Sequence, residues 1–164
     1  MPLLLSLLLA APAVAMPLPV CLPAHLRLTT DSADGDFNGM SHSGIRLRIV
    51  NRGAACLLPA LPHVALRDGR GRLLPAQRRV PPGMHPGPVM IPRPLASGQS
   101  ATIDLRWVSG PVFPASRSLR AARVTVGIGG GALRAPLKAV LYGEAGQTVT
   151  FDQTAASTAP TPDG

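Results

Sequence analysis

Residues 44–51 read Gly44-Ile45-Arg46-Leu47-Arg48-Ile49-Val50-Asn51, and this stretch decides the fold. Ile45, Leu47 and Ile49 alternate with Arg46 and Arg48. Successive side chains of an extended chain point to opposite faces, so a period of two predicts a strand with one buried and one wet face. The alternation recurs on both sides. HLRLTT carries Leu26 and Leu28, HVALRD carries Val64 and Leu66, and SATIDLRWV carries Ile103, Leu105 and Trp107. ARVTVGI adds Val124, Val126 and Ile128, and QTVTFD adds Val149 and Phe151. Between them, Asp68-Gly69-Arg70-Gly71 supplies turn residues that tolerate positive φ, and Gly129-Gly130-Gly131 breaks the pattern. In ALRAPLKAVL, Pro136 lacks a backbone donor and predicts an edge strand. Prolines crowd Val80 to Pro94, which reads as a stiff exposed loop.

No segment sustains a helical period. The expectation is an all-β fold: an Ig-like antiparallel β-sandwich of seven to nine short strands around Trp107. A length of 164 residues suits one domain. Residues 1–15, MPLLLSLLLAAPAVA, are apolar and end in Ala13-Val14-Ala15. They read as a signal peptide cut after Ala15, although no Lys or Arg precedes the run. The run is shorter than the roughly 20 apolar residues a membrane-spanning helix needs. The sandwich is expected over residues 16–152. The segment 153–164 lacks large apolar residues and reads as a disordered tail. The expected location is periplasmic or secreted, with no transmembrane segment in the mature chain.

Export gives the cysteines their meaning. There are two, Cys21 and Cys56, and an even count in an oxidising compartment points to a disulfide. The competing reading makes Cys21 a lipid-bearing first residue. Leu18-Pro19-Val20 oppose it, because lipoprotein processing favours a small residue before the cysteine.

The formal net charge is +8, carried almost wholly by arginine. Such a balance attracts polyanions, and Arg46, Arg48, Arg78 and Arg79 are candidate contacts for one. A solvated strand face and a charged loop account for the same residues. Nucleic-acid recognition also wants aromatic platforms or a motif. Three Phe, one Tyr and one Trp, scattered singly, do not supply them.

The segment DGDFNGMSHSG, residues 34–44, opens like a calcium loop with Asp34, Asp36, Asn38 and Gly39. That loop requires a bidentate Glu at its twelfth position, where this chain has Ile45, so a turn-rich connection is expected instead. Copper is the alternative for the same region. Met40, Met84 and Met90 are the interior methionines, and His42 and His85 accompany them in two loops. Thioether sulfur suits Cu(I), and imidazole suits copper in either oxidation state. Met also fills gaps in cores, which is the ordinary explanation. Among the other histidines, His25 and His63 sit within strand patterns.

Catalysis is not expected, and no catalytic residue is proposed. Gly39-Met40-Ser41-His42-Ser43 lacks the final glycine and the helix of a nucleophile elbow. No carboxylate pair is spaced for acid–base work. Gly129-Gly130-Gly131 follows a strand without the lysine and helix of a phosphate loop.

Longer motifs carry a resemblance. Asn51-x-Gly53-x-x-Cys56 is followed by Leu58, Pro62, Val64, Leu66, Asp68 and Gly71, then by Gly83-Met84-His85-Pro86-Gly87-Pro88 and Leu105-Arg106-Trp107-Val108-Ser109-Gly110-Pro111-Val112. In these the chain resembles a bacterial exported family, the domain of unknown function numbered 4232, from about Cys21 to Phe151. The resemblance implies an Ig-like β-sandwich in an exported or lipoprotein setting, with no established activity. It also implies a second cysteine pair in relatives, where Ser118 and Tyr142 stand here. Loss of both together leaves Cys21 and Cys56 as one complete pair. The resulting expectation is an exported non-enzymatic binding module with no cofactor, whose partner is a protein or cell-envelope component. A periplasmic copper-binding protein is the alternative.

Overall fold

The alternation around Leu47 becomes a strand of ten residues, His42–Asn51, in a computed structural model that describes residues 16–32, 37–80 and 90–158. In chain order the strands are β1 (Leu26–Asp31), β2 (His42–Asn51), β3 (Cys56–Leu58), β4 (His63–Arg67), β5 (Ala76–Arg78) and β6 (Arg93–Leu95). They continue with β7 (Ser100–Val108), β8 (Ser116–Ile128), β9 (Gly131–Glu144), β10 (Val149–Gln153) and β11 (Ser157–Thr158). The only helical element among the described residues is a 3-10 turn at Pro23–His25. No helix among them is long and apolar enough to cross a membrane. Among the described residues the strands number eleven where seven to nine are expected. The surplus arises because β3, β5, β6 and β11 span only two or three residues each, too few to show a period.

One sheet has the order β1-β2-β7-β10-β5, with β11 also paired to β7. A second has the order β4-β8-β9, and β3 with β6 forms a two-stranded ribbon. The pairings are antiparallel except for β5, which joins β10 in parallel. The buried faces of the two larger sheets meet in one apolar core. Leu47, Ile49, Ile103 and Leu105 come from the first, and Leu66, Val124, Val126 and Leu141 from the second. Trp107 is buried opposite Phe151, its register partner on β10. Burial of a side chain of this size stabilises by roughly 1.5–3 kcal/mol.

Pro136 lies on β9, at the edge of its sheet as expected, so its missing N–H costs no ladder bond. Its carbonyl accepts a hydrogen bond from Thr30 Oγ1 of β1 at 3.3 Å, which ties the edges of the two sheets together. The register of β8 against β9 shifts between Ala121 and Arg123. This bulge changes which residues face inward: Ala121 is buried before it, and Val124, Val126 and Ile128 after it.

Cys21 and Cys56 form a disulfide, with their Cα atoms 4.9 Å apart. Backbone bonds hold the same segment beside β3, from Cys21 N to Leu57 O and from Leu57 N to Pro19 O. A sulfur in this bond is not available for a lipid thioether. At Gly129, φ is +54°, and a Cβ would collide with the Cys21 carbonyl, so only glycine lets the β8–β9 turn close over the disulfide segment.

Two loop assignments change. Residues 153–158, expected within a disordered tail, are built against β7. Thr154 N donates to Asp104 O at 3.0 Å, Ala156 is buried, and β11 pairs with Ala101 and Thr102. Ladder bonds and a small alanine do this without large apolar side chains. Pro94, expected in a loop, lies in β6 opposite Leu57, where a two-stranded ribbon leaves one side free of ladder demands. Residues 1–15, 33–36, 81–89 and 159–164, with the proposed signal peptide, lie outside the described residues.

Candidate functional site

Met40 and His42 belong to a tight turn. Gly39 N donates to His42 O and His42 N to Gly39 O, at 3.2 and 2.9 Å. Met40 and Ser41 take φ of 45° and 61°, left-handed values that non-glycine residues adopt at a cost of about 1–2 kcal/mol each. The Met40 side chain is 94% exposed. His42 Nδ1 lies 2.9 Å from the Met40 carbonyl. A carbonyl only accepts, so Nδ1 is the donor in this bond, and in the neutral ring the lone pair is then on Nε2. Met90 leads into β6, and Leu95 at the end of that strand accepts a bond from Asn51 Nδ2. Asn51 is the far end of β2 from His42. Met84 and His85 lie outside the described residues, as do Asp34 and Asp36 of the calcium-like loop. Among the described residues no group of three or more His, Cys, Asp or Glu is placed to hold a metal.

The four arginines singled out as polyanion contacts are placed differently from one another. Arg46 faces Asp104 across β2 and β7 and pairs with both carboxylate oxygens, at 2.8 and 3.0 Å. Its guanidinium also lies over the Phe37 ring, 5.8 Å from the centroid. Arg79 pairs with Asp152 at 3.4 Å. Arg48 is exposed between Thr29 and Thr102. Arg78 is half-buried in a groove between β4 and β5, with His63, Gln77 and Gln153. Alternating signs thus mark the outer face of the larger sheet.

The outer face of the β4-β8-β9 sheet differs. Its inward residues are Val64 and Leu66 on β4, Val124 and Val126 on β8, and Leu133 to Leu141 at alternate positions on β9. The strand period therefore turns Arg67, Arg123, Arg134 and Lys138 outward. The bulge restores Arg120 to the same side. Arg67 and Arg123 are directly opposed. Arg134 pairs with Thr125, one same-face step along β8 from Arg123. Arg123 and Arg134 line one shallow depression beside the bulge with Ala122 and Pro136. Arg120, Arg123, Arg134 and Lys138 are exposed, and Arg67 is half-exposed with one guanidinium bond to the Gly71 carbonyl. None of the five forms an ion pair among the described residues. The face has one carboxylate, Glu144 at the far end of β9, about 20 Å along the strand from Lys138. Sequence reading missed this array because its members are scattered from Arg67 to Lys138 and only the sheet assembles them.

Asp68, beside Arg67, is already engaged. Its Oδ1 accepts from the N–H groups of Arg70 and Arg72, and its Oδ2 pairs with the Arg72 guanidinium. The Arg72 N–H is the main cause holding this carboxyl below the ordinary aspartate range; desolvation opposes it, and the Arg72 side chain and Arg70 N–H reinforce it.

The motif Asn51-x-Gly53-x-x-Cys56 has a structural explanation. Asn51 is fully buried, and its Nδ2 donates to the carbonyls of Ala54, Leu95 and Ala96 while its Oδ1 accepts from Gly53 N. One side chain thereby joins the end of β2, the approach to Cys56 and the turn before β7. No curated protein and no solved structure matches the chain. The family described as domain of unknown function (DUF4232) matches residues 21–161, and the chain belongs to it.

Proposed function

We propose that this protein is an exported, non-enzymatic binding module, periplasmic or secreted, whose partner is an anionic component of the cell envelope. The observation that carries the reading is the unequal charge of its two sheet faces. One sets Arg46 and Arg79 against Asp104 and Asp152; the other gathers five basic groups without a paired carboxylate among the described residues. Directly opposed like charges destabilise a sheet, so the Arg67–Arg123 juxtaposition favours a role in holding an anion. The disulfide fits an oxidising compartment. The test is retention of purified protein by isolated envelope fragments across a salt series. Retention that falls steeply with salt supports the reading. Absence of retention at low salt, or retention indifferent to salt, removes it.

A second reading has its own observation. The strained Met40-Ser41 turn presents His42 with Nδ1 bonded to a backbone carbonyl and, among the described residues, no partner at Nε2, the arrangement of a metal-ligating histidine. Copper would then be held by Met40 and His42 together with Met84 and His85, and Met90, which leads into β6 at the other end of β2, would not take part. Anaerobic Cu(I) competition against a chelator tests it, because binding must disappear when Met40, His42, Met84 and His85 are all changed to Ala. Equal binding by the variant sinks copper.

A further inference from the structure

We infer that the outer face of the β4-β8-β9 sheet docks on an anionic phospholipid surface, with Arg67, Arg120, Arg123, Arg134 and Lys138 reaching headgroup phosphates. The inference rests on the anionic-envelope reading and names its partner.

The geometry favours a plane over a thread. The five groups lie on three neighbouring strands, so they spread in two directions. Strands are about 4.8 Å apart, and same-face residues recur about every 6.7 Å along each strand. Arg134 and Lys138 are two such steps apart on β9. Arg67 stands across from Arg123, at right angles to that line. No walled groove aligns them into a track for one polymer chain; the depression between Arg123 and Arg134 is shallow. Guanidinium groups bind phosphate oxygens through paired N–H donors. Two more residues on the same face suit a bilayer surface. Val140 and Tyr142 are half-buried and project outward on β9 between the basic groups and the strand end. Tyrosine, apolar in body and polar at its tip, is favoured at headgroup level. Single scattered aromatics leave no stacking platform for nucleic acid.

The opposite sheet supplies the internal control. Arg27, Arg48 and Arg106 are exposed on its outer face, where Asp104 and Asp152 interrupt the positive charge. A net charge of +8 alone would drive either face to an anionic surface. The inference requires one face and not the other.

The experiment is co-sedimentation of purified protein with vesicles of phosphatidylglycerol and phosphatidylcholine, against pure phosphatidylcholine vesicles and soluble long-chain polyphosphate. Each basic group near such a surface is worth about fivefold in partitioning. The R120E/R123E/R134E variant should therefore lose at least about a hundredfold, while R27E/R48E/R106E stays within about fivefold. All six positions are exposed, and thermal melts verify that both variants fold. Equal losses from the two variants overturn the inference in favour of net charge alone. Binding to polyphosphate without binding to anionic vesicles overturns it in favour of a polymer. If envelope fragments retain the protein while vesicles do not, the broader reading stands and this one fails. If neither retains it, both fail.

Discussion

Arg46 and Asp104 stand directly opposite each other on β2 and β7, and their side chains close a two-point ion pair at 2.8 and 3.0 Å. The pair is neither fully wet nor buried, with 41% and 28% of the side chains exposed. Charge-assisted paired bonds are stronger than single ones, but solvent screens them at this exposure. Arg46→Ala should cost about 0.5–1.5 kcal/mol in urea unfolding. Vesicle and envelope binding should be unchanged within about twofold, since this charge is already neutralised. A binding loss equal to that of Arg123→Ala would put the anion contact on the wrong sheet.

Asn51 is the costliest polar residue to replace. Asn51→Leu would abolish the two amide hydrogens that three carbonyls share and leave the Gly53 N–H facing an apolar side chain. The expected loss is about 2–4 kcal/mol, read as a lower urea midpoint at unchanged slope. A loss under about 1 kcal/mol would mean that water replaces the amide without difficulty.

Ser118 and Tyr142 are register partners on β8 and β9. The family resemblance expects a cysteine pair at these positions in relatives, and the register of this chain would let such a pair close. Opposed residues of an antiparallel pair lie about 4.5–5.5 Å apart at Cα, inside the range a disulfide spans. The Ser118→Cys/Tyr142→Cys variant should oxidise without any titratable thiol and gain about 2–4 kcal/mol over its reduced form. Persistent free thiols under mild oxidant would show that the register is wrong.

Acid should loosen the turn between β4 and β5. Asp68 has a lower pKa folded than unfolded, so in the window between those values the unfolded chain binds more protons. Its stabilisation is complete above the ordinary aspartate value of about 4 and disappears as pH falls through the lower folded value. Amide exchange at Arg70 and Arg72 should accelerate over that window in the wild type. In Asp68→Asn the same amides should show no acid-dependent step. A step that survives the substitution would assign the titration elsewhere.

Alternation revealed the long strands because each turns apolar residues at alternate positions into the core. Leu47 and Ile49, Val64 and Leu66, and Val124 and Val126 are all core residues. Pro136 signalled its edge position through the donor it lacks. Short elements escaped: β5, three residues long, is recruited by parallel pairing to β10, and no local pattern announces that. Charge was legible only in total. Arg46 looked free because Asp104 lies 58 residues away and faces it only through the register. For the same reason Arg67 and Arg123 never looked like neighbours.

The bulge at Ala122 sets the reading frame of β8. Arg120 and Arg123 are three residues apart, and an uninterrupted strand would send them to opposite faces. At this step Leu137 and Lys138 of β9 oppose Ala122 alone, and the phase of β8 slips by one residue, so both arginines point outward while Ala121 and Val124 point inward. Without the slip, the alternation running on from Ala121 would carry Arg123 to the core face and turn Val124 and Val126 to solvent. One irregular step in a ladder thus governs which way the positive charge of this protein looks.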